Sequence, residues 1–236
     1  MPSFPGYSLP MTPLKAWIDI ALFILLMLLA SQFLGLAGTS LPLPYLVVVQ
    51  GTLVLLILYG LLRLRGQRWS DVGLRPLRSR DLGYALITLL GAYAANFAFM
   101  SLVYWLDPAG FRTHLSELTH IARMISEGRS YPELAAIMLF VGVYEELAAR
   151  GFLLNRALAA LGGKTAAVLF SSVLFGLGHT YQGWVGVVQT TLIGIVFAGA
   201  VLRFGSLWPS ILAHAGLNTL YLVLSPLVEE RLRTIL

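Results

Sequence analysis

Cysteine is absent from this chain of 236 residues, and charged residues make up only 11% of it. Without cysteine there are no disulfide bonds, no thiolate metal ligands and no cysteine nucleophile. A soluble domain usually carries about 25% charged residues, so these few charges could not cover the surface of a water-soluble fold. The hydrophobic share of 58% excludes a disordered chain. The composition therefore predicts a protein that crosses the membrane several times.

Long apolar segments recur along the chain at lengths near the ~20 residues that a spanning helix needs. We predict an all-α, polytopic transmembrane helix bundle of about seven to eight spans. The first apolar segment is longer than that of a signal peptide, about 7–15 residues, so we interpret it as a retained anchor. The two parts, N-terminal helices with a basic loop (1–132) and a catalytic helix core (133–236), would form one integral membrane domain. The predicted spans are 17–36, 45–62, 82–106, 133–154, 165–181, 184–202 and 207–227, with a short turn at 38–44 between the first two.

The net charge is +5, and the basic residues are concentrated in the polar connections, above all in the segment 63–81. With the N-terminus inside, the inner connections carry more Lys and Arg than the outer ones, which favours a cytoplasmic N-terminus. The basic residues are therefore interpreted as topology signals beside the lipid bilayer, and no nucleic acid partner is expected. We predict an integral membrane protein of the plasma (inner) membrane. Asp19 follows Lys15 by four residues and is predicted to pair with it near the interface.

The longer polar connection 107–132 has leucine and isoleucine at roughly helical spacing. This pattern predicts an amphipathic helix at the membrane surface. Its two histidines, His114 and His120, have no spacing that favours a metal pair on a helix. We interpret both as solvated side chains.

Charged groups inside an apolar segment are costly and usually functional, and the fourth predicted span contains Glu145, Glu146 and Arg150. On a helix, Glu146 and Arg150 share a face and can pair. Glu145 is rotated from Glu146 by about 100° and points elsewhere. Glu145 is thus a candidate general base. An ion pair that only fixes helix packing remains the alternative for Glu146 and Arg150.

Two later spans add histidines to this carboxylate. His179 ends the segment that begins at Phe175, and His214 and Asn218 lie on one face of the last span. Imidazole and amide N–H groups are hydrogen-bond donors, and two donors that converge in a dry cavity form an oxyanion hole. Each group alone is also typical of interhelical hydrogen bonding. Together they comprise a base, a proton carrier and a pair of donors.

These motifs resemble those of the CPBP family, the CAAX prenyl protease and bacteriocin-processing (Abi) membrane proteins, over about 133–227. The family pattern is Glu-Glu-x-x-x-Arg, then Phe-x-x-x-His, then His-x-x-x-Asn. The resemblance implies a glutamate-type intramembrane endopeptidase without a cofactor or metal, acting on a membrane-associated peptide or protein. It further implies that Glu145 activates a water with His179, and that His214 and Asn218 stabilise the oxyanion. Glu146 and Arg150 would hold the first glutamate in place, and Phe175 would pack the site wall.

Other functions remain open on these residues. Glu145, His179 and His214 are also a two-histidine, one-carboxylate set that suits zinc in a membrane protease. The same polar groups could shape the pocket of a non-catalytic binding or immunity protein. A transporter is a weaker alternative, because the chain has no inverted repeat. The motifs determine neither the substrate nor the oligomeric state.

Overall fold

The computed structural model describes residues 11–36 and 41–235, and its regular structure in those ranges is entirely helical. This confirms the predicted all-α bundle. Short 3₁₀ turns cover Trp69–Val72 and Thr180–Gln182, and a π-helical turn, Leu147–Leu153, joins α5 to α6. The helices are α1 (Pro13–Leu36), α2 (Leu43–Leu64), α3 (Ser79–Leu106), α4 (Pro108–Ser126), α5 (Tyr131–Glu146), α6 (Leu154–Leu161), α7 (Lys164–Leu177), α8 (Gly183–Phe204) and α9 (Trp208–Ile235).

Five helical stretches in the described ranges are long and apolar enough to cross a membrane. They are Pro13–Gly35, Leu43–Leu64, Ser79–Leu106, Thr180–Phe204 and Trp208–Leu227, which correspond to five of the predicted spans. The other two predicted spans take different forms. One becomes α5 with the π-helical turn, and the other becomes the shorter apolar helix α7. Part of the predicted turn at 38–44 lies outside the described residues.

The fifth predicted span, 165–181, was too long at its C-terminal end. It was expected to run to Tyr181, but α7 ends at Leu177 and His179 lies in the turn that follows. The turn follows Gly178, which caps α7 in a helical conformation, and it ends at Gly183, whose φ of 72° disfavours other residues at the start of α8. His179 is therefore presented by a turn and not by a continuous helix.

Asp19 does not pair with Lys15 as predicted. Its carboxylate lies 2.7 Å from Arg65 Nη2 and 2.9 Å from Arg156 Nε, and Asp19 is buried. The side chain of Gln67 completes the cluster through a hydrogen bond with Arg156. The reason is tertiary: α1 packs against α6 and α2, so the face that carries Asp19 meets arginines from distant parts of the chain. This cluster joins α1 to the C-terminal helices.

The connection 107–132 forms the predicted amphipathic helix, α4, which begins where the Asp107 side chain accepts a hydrogen bond from Gly110 N at 2.9 Å. His120 is exposed, as predicted. The prediction that His114 is solvated was wrong, because only 2% of His114 is exposed. His114 lies on the face of α4 that packs against α8 and the turn Thr180–Gln182. A histidine on that face becomes buried together with its apolar neighbours.

The pair α5 and α9 positions the carboxylates against His214, and Gly142 sets how closely these helices approach. A Cβ atom added at Gly142 would lie 2.8 Å from the carbonyl oxygen of Ile211 in α9. Backbone atoms on a packed helix cannot rotate away as a flexible side chain does. Gly142 is one turn before Glu146, and Ile211 is three residues before His214.

We expect Gly142→Ala to lower the free energy of unfolding by about 1–3 kcal/mol, because overpacking separates α5 from α9. Denaturant titration of the detergent-solubilised protein measures this change. Gly199→Ala on α8 is the matched control, since a Cβ atom there meets nothing within 4 Å. That control is expected to leave stability unchanged or slightly raised, by up to about 1 kcal/mol from helix propensity. Equal effects of the two variants would contradict the proposed close approach.

Candidate functional site

The two adjacent glutamates end α5, where the helix widens into the π-helical turn Leu147–Leu153. Turns of this kind occur frequently at functional sites. Glu146 is fully buried, and its Oε1 lies 2.7 Å from Arg150 Nη1. The spacing of four residues thus brings these two side chains together, as the sequence indicated. Glu145 points elsewhere, and 19% of its side chain is exposed.

His179 reaches Glu145 from the turn after α7. Its Nδ1 lies 2.9 Å from the carbonyl oxygen of Phe175. Because a carbonyl only accepts, Nδ1 carries the hydrogen in this bond. A neutral ring then leaves Nε2 as an acceptor, and this atom lies 3.9 Å from Glu145 Oε2. The bond to the Phe175 carbonyl therefore sets the orientation of the ring toward the carboxylate.

His214 approaches the same carboxylate from α9. Its Nδ1 lies 3.0 Å from Glu146 Oε1, and its Nε2 lies 3.7 Å from Glu145 Oε2. Glu145 Oε2 is buried and has no hydrogen-bond partner in the described part of the chain. Distances of 3.7 Å and 3.9 Å are too long for a direct hydrogen bond but suit one bridging water molecule. The three predicted groups thus meet at Glu145 Oε2, where a water molecule beside them could contact the carboxylate and an imidazole together.

Two phenylalanine rings enclose the polar groups. Phe175 lies 4.8 Å from the His179 ring and 6.2 Å from the His214 ring, between ring centroids, and Arg150 Cζ lies 4.3 Å from its centre. Phe197 on α8 covers the other side, 5.6 Å from the His214 ring and 5.4 Å from Arg150 Cζ. The guanidinium is thus held between aromatic faces, a favourable cation–π arrangement. Phe175 thus contacts both histidine rings and Arg150, and its role as the site wall stays a prediction.

Asn218 is half-buried on α9, one turn beyond His214 and on the same face. Its side-chain amide makes no hydrogen bond to other described residues. The amide is therefore available to a bound molecule. Its role is not determined by contacts within the chain.

Two residues near the site were missed by the sequence analysis. Phe197 is completely buried, but in the sequence it is one of many apolar residues of α8. Tyr181 is 65% exposed, and its ring centroid lies 5.8 Å from that of His179. The sequence analysis treated Tyr181 as the end of a span, whereas it lies in the turn beside the site. Only the position of that turn could have drawn attention to it.

Metal binding has no geometric support in the described ranges. Across residues 11–36 and 41–235, no group of three or more His, Asp and Glu side chains is arranged to hold a metal ion. The zinc alternative therefore rests on the residue types alone. Chelation of the active protein is the measurement that decides it.

Residues 128–220 match the sequence model of the family described as type II CAAX prenyl endopeptidase Rce1-like. The matched segment starts just before α5 and ends on α9, so it includes every candidate residue from Glu145 to Asn218. Searches of the curated proteins and of the solved structures return no match. The apolar helices support an integral membrane protein, and the matched segment shows that this part of the chain is similar to the Rce1-like CAAX prenyl endopeptidase family. The family match thus confirms the resemblance of this chain to the CPBP family of CAAX proteases.

Proposed function

We propose that this protein is an intramembrane endopeptidase that hydrolyses a peptide bond of a membrane-associated protein or peptide. The observation that carries the proposal is the convergence of two imidazole Nε2 atoms, at 3.7 Å and 3.9 Å, on the buried and unpartnered Oε2 of Glu145. These groups come from α5, α9 and the turn after α7. Buried polar atoms normally have partners, so an unpartnered carboxylate oxygen between two imidazoles suits a site that binds water and substrate.

Glu145 and His179 can activate that water together. A water between them donates one hydrogen to the Glu145 carboxylate and the other to Nε2 of a neutral His179, both at about 2.8 Å. Both hydrogens are then occupied, and a lone pair of the water oxygen faces the substrate carbonyl carbon. Glu145 takes the first proton as the water oxygen attacks. The same proton passes to the leaving amide nitrogen as the C–N bond breaks, so a carboxylic acid and an amine result.

His214 requires a second proton to act as an oxyanion donor. Its Nδ1–H donates to the Glu146 carboxylate, and a neutral ring would leave Nε2 without a hydrogen. The imidazolium form donates from both nitrogens. With it, the carboxylates of Glu145 and Glu146 are balanced by Arg150 and His214. This neutral total suits a buried site, since unpaired charges are costly there.

Asn218 supplies the second donor in this mechanism, and the carbonyl oxygen would accept from its amide as negative charge develops. We expect Asn218→Ala to lower kcat by about 10²–10³, the usual cost of one oxyanion donor. KM should change little, because the interaction strengthens only in the transition state. Steady-state kinetics on a cleaved peptide measure the split. A variant that raised KM and left kcat intact would place Asn218 in substrate binding instead.

Cleavage itself is tested on membranes. Vesicles that contain the wild-type protein or the Glu145→Gln variant are incubated with total membrane protein, and the released peptides are compared by mass spectrometry. Peptides that appear only with wild type support the proposal and identify the substrate. Identical peptide sets refute it and favour a binding or immunity protein. The matched family is described as a type II CAAX prenyl endopeptidase, so a farnesylated peptide with a CAAX end is a defined second probe.

The location of the protein is part of the same proposal. Five apolar helices support an integral membrane protein. The distribution of arginines favours a cytoplasmic N-terminus, and we propose the plasma (inner) membrane as its location. Protease protection of a tag fused to the N-terminus of the protein, measured in sealed vesicles of known orientation, tests this topology.

A further inference from the structure

The buried histidine of α4 bonds to the turn that carries the catalytic histidine. His114 Nδ1 lies 3.3 Å from the carbonyl oxygen of Gln182. Since the carbonyl only accepts, Nδ1 donates. His114 Nε2 lies 2.9 Å from Oε1 of Gln189 on α8, and the Gln189 amide contacts Asn96 Oδ1 on α3 at 2.6 Å. Because a neutral ring with its hydrogen on Nδ1 accepts at Nε2, the Gln189 amide is assigned with its NH2 group turned toward the ring. The ring thus has a polar partner at each nitrogen, one in the turn and one on α8.

The other hydrogen bonds of the turn that receives this bond are local in sequence. Between Gly178 and Gly183 the chain leaves α7 and starts α8. Within this turn, Gln182 N donates to the carbonyl of His179 at 2.9 Å, and His179 N donates to the carbonyl of Gly176 at 2.8 Å. These are local bonds, and local bonds do not fix a turn relative to α5. The bond from His114 is made across 68 residues of sequence.

We propose that His114 is a positioning residue of the site. By holding the Gln182 carbonyl, it fixes the turn so that one water molecule can bridge His179 Nε2 and Glu145 Oε2. The proposal rests on the proposed function, because His179 matters through the water that it shares with Glu145. A small displacement of His179 relative to Glu145 slows the reaction, since a shift of about 1 Å can lower the rate by 10²-fold. His114 itself touches neither Glu145 nor the space between Glu145 and His179.

Two conservative variants separate the bonds of His114. The amide nitrogen of asparagine lies as many bonds from Cα as Nδ1, so His114→Asn keeps a donor for the Gln182 carbonyl. The terminal amide of glutamine corresponds to Nε2, so His114→Gln keeps the contact with Gln189 and loses the donor to the carbonyl. His114→Ala removes both contacts. The three variants therefore test the carbonyl bond by itself.

Two measurements on the full-length protein in lipid vesicles are needed. We expect His114→Ala and His114→Gln to lower kcat by about ten- to a hundredfold, with KM nearly unchanged, and His114→Asn to restore most of kcat. The substrate is the peptide whose release from membranes depends on Glu145. Amide hydrogen exchange of the segment 178–183 should accelerate in His114→Ala and His114→Gln, and return toward the wild-type rate in His114→Asn.

Thr119→Val is the matched control for a loosened α4. Thr119 is buried on the same helix, and its hydroxyl lies 3.4 Å from that of Tyr221 on α9, away from the turn. We expect this variant to keep kcat and the exchange rate of 178–183. If Thr119→Val lowers kcat as much as His114→Ala at equal loss of stability, the effect is general and the positioning role is refuted. Unchanged exchange in His114→Ala also refutes it.

The outcomes distinguish this inference from the proposed function. If Glu145→Gln releases the same peptides as wild type, the proposed function fails, whatever His114 does to the turn. If Glu145→Gln is inactive while His114→Ala keeps the wild-type kcat, the proposed function stands and the role of His114 falls. Hydrogen exchange reports on the anchored turn without any need for activity.

Discussion

Glu145→Gln is expected to lower the rate of peptide release by about a thousandfold, within the 10²–10⁴ range that general base catalysis contributes. Glutamine retains the size of the side chain but cannot take a proton from water. The Glu145 side chain is 19% exposed, and its buried Oε2 has no hydrogen bond to another described residue. The substitution therefore removes the base and little packing. The rate is measured as product formed per mole of protein in vesicles.

Glu133→Gln is the matched control for this substitution. Glu133 stands in the first turn of the same helix, α5, is exposed, and accepts hydrogen bonds from the backbone N and hydroxyl of Ser130 at 2.7 Å. Glutamine also serves in this capping position, so activity and folding should stay at the wild-type level. Wild-type release by Glu145→Gln, or equal losses in the two variants, would remove Glu145 from the mechanism.

Chelation completes the same experiment. In the proposed mechanism the base and both donors are side chains of this chain, so cleavage should continue at the wild-type rate after incubation with a strong chelator. Loss of activity that added Zn²⁺ restores would instead favour the zinc alternative. Metal analysis of the purified protein checks that the chelator acted on a bound ion.

The second large effect concerns the stability of the buried ion pair. Arg150→Met is expected to lower the free energy of unfolding by about 3–5 kcal/mol, because it removes the guanidinium paired with Glu146 and leaves one buried carboxylate charge uncompensated. Arg150 is 1% exposed, Glu146 is fully buried, and their atoms lie 2.7 Å apart. Denaturant titration in detergent measures the change. Such a loss is large beside a typical total stability of 5–15 kcal/mol.

The double variant Glu146→Gln, Arg150→Met is the informative comparison. It removes both charges, so it should be more stable than Arg150→Met alone, since neutral replacement of a buried pair is often tolerated. We nevertheless expect it to be inactive, because His214 loses the carboxylate that accepts its Nδ1–H and orients its ring. A double variant that is less stable than Arg150→Met would contradict the claim that an uncompensated charge is what destabilises the protein.

Local relationships in the sequence were predicted well. Apolar runs near the length of a membrane span identified most of the helices, because hydrophobic burial in lipid requires such runs. The spacing of four residues brought Glu146 and Arg150 together, because residues so spaced share a helix face. The pair remains intact even though the helix widens into a π-helical turn directly after Glu146.

Relationships between distant segments were predicted poorly. Asp19 was assigned to Lys15, its neighbour on α1, but it binds Arg65, directly after α2, and Arg156 on α6. His114 was assigned to solvent but is buried between α4 and α8. Both errors have one cause: an amphipathic pattern shows which face is polar, but not which helix that face will meet.

The amino-acid sequence was sufficient to predict a helical membrane protein and the polar residues of its candidate site, because composition and motif spacing are local properties. Tertiary packing decided the geometry of that site. The end of α7 at Leu177 places His179 on a turn, and the close approach of α5 and α9 at Gly142 brings His214 between the two glutamates. Distances of a few ångströms between side chains depend on how whole helices pack, and no spacing within one helix encodes them.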